Sequence, residues 1–345
     1  MSMTISQAIA AILSGKSLSQ SEMQAVMHQL MSGECSDAQI GGLLIALRMK
    51  GETVDEITAA AQVMASLSAK VEVNAPNLID IVGTGGDGTS TFNVSTAASF
   101  VAAGAGASVA KHGNRSVSSK SGSADLLEQA GANLNLNPSQ VAEVIKSAGV
   151  GFMFAPMHHS AMKHAIGPRK EMAVRTIFNV LGPLTNPAGV KRQVVGVFES
   201  ELTQALAHVF AQLGSEHTLV VHSEDGMDEI SISAPTQVSE MKQVNGSSKV
   251  ETYTIKPDDF GLMTAPIQDI VVSGPQQSLS LIESVLDGVQ GAARDIVLLN
   301  AGAGIYVSGL VSSLAQGIEL AATSINSGQA KAAKDAYVAA TNSFK

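Results

Sequence analysis

Between residues 83 and 96 the chain reads GTGGDGTSTFNVST, glycines followed by hydroxyls, an amide and one carboxylate. That mixture suits a phosphorylated ligand. Glycines let the backbone turn its N–H groups towards an anion, and a helix opening just beyond them adds partial positive charge. Thr91, Asn93, Ser95 and Thr96 supply side-chain donors at the mouth of that helix, and a hydroxyl such as that of Ser95 can ligate Mg²⁺ beside a diphosphate. A plain strand-to-helix turn would need fewer glycines and no Asp87. Two other phosphate motifs fit less well. Gly83, Gly85 and Gly88 satisfy G-x-G-x-x-G, yet Thr89-Ser90-Thr91 stand where a dinucleotide fold would already be helical. The region where an acidic residue should meet the ribose reads SVAKH instead. Thr89 also takes the place of the Walker lysine.

Residues 111–128 read KHGNRSVSSKSGSADLLE. Lys111 can neutralise a phosphate as a point charge, and Arg115 can clamp one bidentately. Alone this is equally a solvated basic loop; beside the glycine loop it becomes a cation supply. Asp228 and Glu229 adjoin in HSEDGMDEIS, with Asp225 nearby. Adjacent carboxylates beyond a strand are natural Mg²⁺ ligands where a diphosphate supplies the other oxygens, although alone they read as surface acids. His158, His159 and His164 invite zinc, but H-E-x-x-H is missing, and capping or packing explains them more simply. Arg169 and Lys170 suit a carboxylate grip, Arg169 above all because guanidinium is a planar fork; by themselves they are equally surface charges.

With 345 residues, 45% of them hydrophobic, the chain can build one large domain or two modest ones. The formal net charge of −9 argues against a general nucleic-acid binder, so cations for an anionic substrate must be gathered locally. Cys35 is the only cysteine, which rules out an intrachain disulfide and makes a reducing compartment the default. MSMTISQAIAAILSG lacks a basic segment before its apolar residues, and no run reaches membrane-spanning length. The expectation is a soluble, cytoplasmic protein without membrane contact.

Residues 1–74 read as helices only: Ile5, Ile9, Ile12 and Leu13 recur at helical spacing, with Gly15 as a terminator. Ser19/Glu22 and Thr53/Glu56 form capping boxes, and Asp37 can open the helix between them. After Asn74 the pattern changes. LIDIV, ASVAK, VGFMFA, QVVGVF, TLVVHS and DIVVSG read as strands, alternating with helices over about 93–103, SADLLEQAG and LTQALAHVFAQLG. This rhythm implies an α/β domain over 75–345 with a mostly parallel sheet covered on both faces. Residues from about 165 to 190 lack strand character and are expected to pack back on the N-terminal helices. QAKAAKDAYVAATNSF is a helical tail.

The run from DIVGTGGDGTSTFNVST through KHGNRSVSSKSGSADLLE resembles the signature of anthranilate phosphoribosyltransferases. So do RTIFNVLGPLTNPA, DGMDEIS and ALRMKGET, and the likeness covers nearly the whole chain. The resemblance implies a nucleoside phosphorylase/phosphoribosyltransferase-like fold, a small helical domain plus a larger α/β domain, dimerising through the helices. It implies transfer of the phosphoribosyl group of phosphoribosyl pyrophosphate to anthranilate in tryptophan biosynthesis. Gly83, Gly86, Asp87, Thr91, Asn93, Val94, Ser95 and Thr96 would hold pyrophosphate and ribose. Lys111, His112, Gly113, Asn114, Arg115, Ser116, Val117, Ser118 and Ser119, with Ser123, would wrap the phosphates. Asn114 and Arg169 would meet anthranilate, with His159 near the mouth of the site; Asn114, Arg169 and Lys111 are the catalytic candidates. Ser95 and Glu229 would bind one Mg²⁺, and Asp228 with Glu229 a second. Lys170 and Met162 occupy positions that vary in the family. The chain carries no amidotransferase domain, which leaves room for a transient contact with anthranilate synthase. A nucleoside phosphorylase and a non-catalytic nucleic-acid-binding relative are the alternatives; the intact GTGGD and KHGNR motifs disfavour the first, the net charge and Asp228-Glu229 the second.

Overall fold

The computed structural model describes residues 3–116 and 120–345. Four helices come first: α1 (Ile5–Leu13), α2 (Gln20–Met31), α3 (Asp37–Lys50) and α4 (Val54–Ser66). Each opens on a capping box, from Thr4, Ser19, Ser36 and Thr53 respectively. Side-chain oxygen and helix N–H satisfy each other there, which fixes where a short helix starts. The third cap is Ser36, with Asp37 following in the first turn, where its charge meets the helix dipole.

The rest of the chain runs β1 (Leu78–Gly83), α5 (Val94–Gly104), β2 (Ser108–Gly113), α6 (Ser123–Gln129), α7 (Pro138–Ala148), β3 (Val150–Phe154) and α8 (Ala155–His158). Then come α9 (Lys163–Met172), α10 (Phe178–Leu184), β4 (Arg192–Gly196), α11 (Glu201–Gln212), β5 (His217–Ser223), β6 (Thr236–Val244) and β7 (Ser247–Ile255). Helices α12 (Pro275–Leu286), α13 (Ala292–Ser308), α14 (Leu314–Asn326) and α15 (Gln329–Asn342) complete it. The strands form one sheet in the order β3-β2-β1-β4-β5-β6-β7. Pairings from β3 across to β5 are parallel; β5–β6 and β6–β7 are antiparallel.

Alternate residues of the central strands feed two apolar cores. Val194, Leu219 and Val221 face one with α5, α7 and α13; Val195 and Val220 face the other, shared with α1 to α4, α10 and α11. The sheet is thus covered on both faces, the period-2 burial expected of an internal α/β sheet. Ala165, Ile177, Phe178 and Leu181, from α9 and the segment after it, lie in the same core as the N-terminal helices. No helix among the described residues is long and apolar enough to cross a membrane.

Two readings of the strands need correction. DIVVSG is not a strand: Ile267–Ile270 is a short 3₁₀ turn, and Val271 only bridges to Thr91. The β6–β7 hairpin escaped detection because its outer strand is mostly exposed, so β7 lacks the apolar alternation by which a strand is recognised.

Candidate active site

The chain runs outwards from β1 to β2 to β3, then returns to place β4 on β1's other side. Where strand order reverses in this way, a crevice opens at the strands' carboxyl ends. Val82 pairs with Val195 and Gly83 with Gly196, so β1 and β4 end level. The glycine loop leaves β1 there, the basic loop leaves β2, and the loop carrying Asp228 and Glu229 leaves β5. They wall a cleft of about 580 Å³, closed on the other side by Pro156, His159, Met162, Ile166 and Arg169 from α8, α9 and the turn between them.

Asp228 lies across the ends of β1 and β4. A Cβ on Gly83 would come within 2.9 Å of its carboxyl carbon, and one on Gly196 within 3.1 Å of its Cα, so both positions need glycine for this approach. The Asp228 carboxylate accepts the Gly85 N–H at 2.6 Å, and Glu229 accepts the Ser95 N–H at 3.2 Å. Burial raises the pKa of both acids, and their like-charged neighbours (Asp87 for Asp228, Asp228 for Glu229) raise it further. The buried Lys111 ammonium donates to the Ile81 carbonyl at 2.6 Å and to Ser95 Oγ at 3.2 Å. Burial lowers its pKa, and Asp80, Glu229 and Asp228 oppose the shift. Asp80, wholly buried behind the site, is pushed up to about 6 by desolvation. It accepts the His112 N–H at 3.3 Å and the Asn186 amide at 2.8 Å.

Four carboxylates, of Asp80, Asp87, Asp228 and Glu229, around one lysine make a site in want of positive charge. Among the described residues no three His, Cys, Asp or Glu side chains are disposed to hold a metal by themselves. Asp228, Glu229 and the Ser95 hydroxyl nevertheless fit Mg²⁺, a hard cation that takes one or two carboxylates and completes its shell with water and substrate phosphate oxygens.

On the acceptor side, Arg169 is half-buried, its guanidinium 5.2 Å from the Phe178 ring centroid. It makes no ion pair or side-chain hydrogen bond to another described residue. Such a cation, facing a cleft, is ready for an anionic ligand. The His112 and His159 rings pack at 5.1 Å, and neither Nε2 has a partner among the described residues. Desolvation, then the neighbouring histidine (His159 for His112, His158 for His159), lowers His112 to about 3 and His159 to about 4, so both are neutral at pH 7. His158 points away, towards the Ala69 carbonyl at 3.0 Å, and His164 does not line the cleft.

Most of the expected residues line this cleft. Val117, Ser118 and Ser119 lie outside the described residues. Thr96 faces elsewhere: its buried hydroxyl borders a separate cavity of about 10 Å³ with Lys111 and Tyr337. Arg115 lines the cleft, but its fork is bound to Glu128 at 2.5 and 2.7 Å instead of standing open to a phosphate. The Asn93 side chain braces the wall: it accepts from Ser121 Oγ at 2.7 Å and Ser278 Oγ at 2.8 Å, and donates to the Ser121 carbonyl at 3.0 Å. Asp225 likewise serves the loop, accepting from Ser231 at 2.6 Å and from Ser233.

Ser278, Asn300 and Arg175 escaped the sequence reading, because each acts through a partner remote in the chain. Asn300, fully buried on α13, brackets Ile230 beside Glu229, accepting its N–H and donating to its carbonyl, both at 2.9 Å. Asn300→Ala should lower stability by about 3 kcal/mol, because both backbone groups lose their partner in the interior. A guanidinium unfolding midpoint equal to wild type would contradict that bracket.

The pattern of the glycosyl transferase family, helical bundle domain, matches residues 6–68, and that of the glycosyl transferase family, a/b domain, matches residues 75–331. An anthranilate phosphoribosyltransferase of Thioalkalivibrio sulfidiphilus is 57% identical over 328 residues, covering 95% of this chain and 96% of its own. The anthranilate phosphoribosyltransferase structure from Thermus thermophilus superposes with a TM-score of 0.90 at 42% identity, over 97% of this chain and 99% of that one. The Saccharomyces cerevisiae enzyme in complex with PRPP and Mg superposes at 0.89 with 29% identity, over 98% of both chains.

Proposed function

The chain belongs to the anthranilate phosphoribosyltransferase family, and from that premise we propose how its cleft carries out the transfer. The enzyme moves the 5-phosphoribosyl group of phosphoribosyl pyrophosphate to the amine of anthranilate, giving N-(5-phosphoribosyl)anthranilate and pyrophosphate, in tryptophan biosynthesis. One observation carries the assignment of sites: an anion loop, a buried lysine and two buried acids meet at the ends of β1, β2 and β5, opposite an arginine with no ion pair among the described residues.

Pyrophosphate and ribose lie along Gly83 to Ser95, held by loop N–H groups and Lys111. Anthranilate lies across the cleft, its carboxylate on Arg169 and its ring among Met162, Ile166 and Pro183. Its amine is neutral at pH 7, so the lone pair is available without a strong base. The chemically difficult part is rupture of the bond from the anomeric carbon to pyrophosphate, which leaves positive charge on the ribose and negative charge on the leaving group. Lys111 and the backbone N–H of Gly86, fixed in place beforehand, stabilise that negative charge, while the Gly85 N–H holds Asp228 beside it. Asn114 and Arg169 orient the amine in line with the departing bond. The amine attacks as pyrophosphate leaves, with inversion, and then loses its proton to solvent.

When bound, Mg²⁺ supplies charge neutralisation at the pyrophosphate. Ser95 and Glu229 would hold one ion, and Asp228 with Glu229 a second. Homodimerisation through the helical domain also belongs to this reading; Leu13 and Met49, 71% and 80% exposed on α1 and α3, would be covered by it. A transient contact with the enzyme that makes anthranilate is compatible with it.

Phosphorus NMR of a reaction mixture should show one pyrophosphate formed for each anthranilate consumed. Turnover that consumes free phosphate, as in a phosphorylase, would contradict the assignment.

A further inference from the structure

Arg175 has no part in the steps above, yet it touches the glycine loop and follows the helix that carries Arg169. It follows α9 by three residues, across a turn in which Ala173 takes the left-handed conformation (φ 52°). Its guanidinium donates to the Gly86 carbonyl in the centre of the glycine loop. The same group lies 4.1 Å from the centroid of the Phe198 ring and 3.7 Å from Glu199 Oε1. Phe198 and Glu199 lie two and three residues beyond the end of β4, and Phe198 is buried in the core shared with the N-terminal helices. Arg48 of α3 reaches the same Glu199 oxygen at 3.7 Å. A single side chain thus joins the anion loop, the end of a central strand, the helical domain and the connection to Arg169.

Such an anchor has two physical consequences. Gly85 and Gly86 both have positive φ (71° and 78°), a shape that fully flexible glycines keep only if something outside the loop fixes it. A hydrogen bond to the Gly86 carbonyl does so from one side of the loop, as the Asp228 carboxylate does at the Gly85 N–H. The planar fork makes these contacts together. One nitrogen binds the carbonyl, another faces Glu199 and the flat face rests on Phe198, which an ammonium cannot reproduce. Second, Arg48 and Arg175 share one carboxylate, which leaves positive charge beside the loop that receives the donor's phosphates.

We propose that Arg175 is a positioning residue that holds the glycine loop in its anion-receiving shape and couples donor binding there to acceptor binding at Arg169. This rests on the placing of pyrophosphate at the glycine loop and anthranilate at Arg169. The coupling follows from connectivity. A ligand that draws Arg169 inwards moves the end of α9, and Arg175 passes that displacement to Gly86. Linkage requires the effect to be reciprocal.

The test compares wild type, Arg175→Ala, Arg175→Lys and Glu199→Gln by steady-state kinetics. Calorimetric titration of magnesium pyrophosphate, with and without anthranilate, accompanies them and needs no turnover. Wild type should bind pyrophosphate at least about threefold more tightly when anthranilate is present. Arg175→Ala should raise KM for the donor about tenfold with kcat changed far less, and should bring the coupling factor to one. Arg175→Lys should recover part of the affinity but little of the coupling; Glu199→Gln, which keeps Arg175 but loosens its anchor, should give a smaller change in the same direction. Unchanged donor KM and coupling in Arg175→Ala would overturn the proposal, as would an equal fall in every parameter together with a lowered melting temperature. If Arg175→Ala does not fold, wild-type coupling and donor KM in Glu199→Gln overturn it instead. A wild type that turns over normally while these effects are missing sinks only this proposal; one that neither turns over nor binds pyrophosphate sinks the site assignment beneath it.

Discussion

Lys111→Met should lower kcat/KM for phosphoribosyl pyrophosphate about a thousandfold, the scale seen when a preorganised donor to a developing negative charge is removed. The ammonium is 2% exposed, tied to the Ile81 carbonyl and Ser95, and so sits in its working position before substrate arrives. It is also the cation that faces Asp80, Glu229 and Asp228. Without it those acids repel both one another and the incoming pyrophosphate, so binding and departure of the leaving group suffer together. Removing one member of a buried charged set also destabilises the fold, by about 3–5 kcal/mol. Activity must therefore be measured on protein shown by circular dichroism to be folded. Folded Lys111→Met within tenfold of wild type would mean that the pyrophosphate does not lie where the loops place it.

The second large effect is on the acceptor. Arg169→Ala should raise KM for anthranilate about a hundredfold, the loss of a charge-assisted bidentate contact worth roughly 2–3 kcal/mol. Donor KM and kcat should move much less, because Arg169 orients the amine and does not touch the breaking bond. Aniline, which has an amine but no carboxylate, provides the control: its weak reaction should be nearly the same in wild type and variant. Equal losses with anthranilate and aniline would assign Arg169 to the scaffold instead.

The local parts of this molecule were legible in its sequence, and the remote ones were not. Capping boxes at Ser19/Glu22 and Thr53/Glu56 announce themselves because both partners lie within one helical turn. The buried strands β1, β2, β4 and β5 are short apolar runs between turn residues, and the loops after β1, β2 and β5 carry the chemistry. Placing those loops together follows from the parallel sheet. Misreadings arose where tertiary context decides. DIVVSG is as apolar as a strand but only bridges to Thr91, while β7 is too exposed to be seen. Charge alone made Arg115 a phosphate clamp; nothing in the spacing reveals that Glu128 occupies its fork. Thr96 shares a helical turn with Ser95, yet helix rotation turns it into the interior. Asn300, Ser278 and Arg175 meet partners 70, 185 and 89 residues away, contacts that no local pattern encodes.

The central claim is that this cleft joins anthranilate to the ribose of phosphoribosyl pyrophosphate with the help of a divalent cation. Anthranilate's own fluorescence tests it, followed with folded protein, donor and Mg²⁺ together and with each left out in turn. A decay that requires all of them and stops on adding EDTA is the predicted result. Steady fluorescence with every component present, or a decay indifferent to EDTA, would contradict the account.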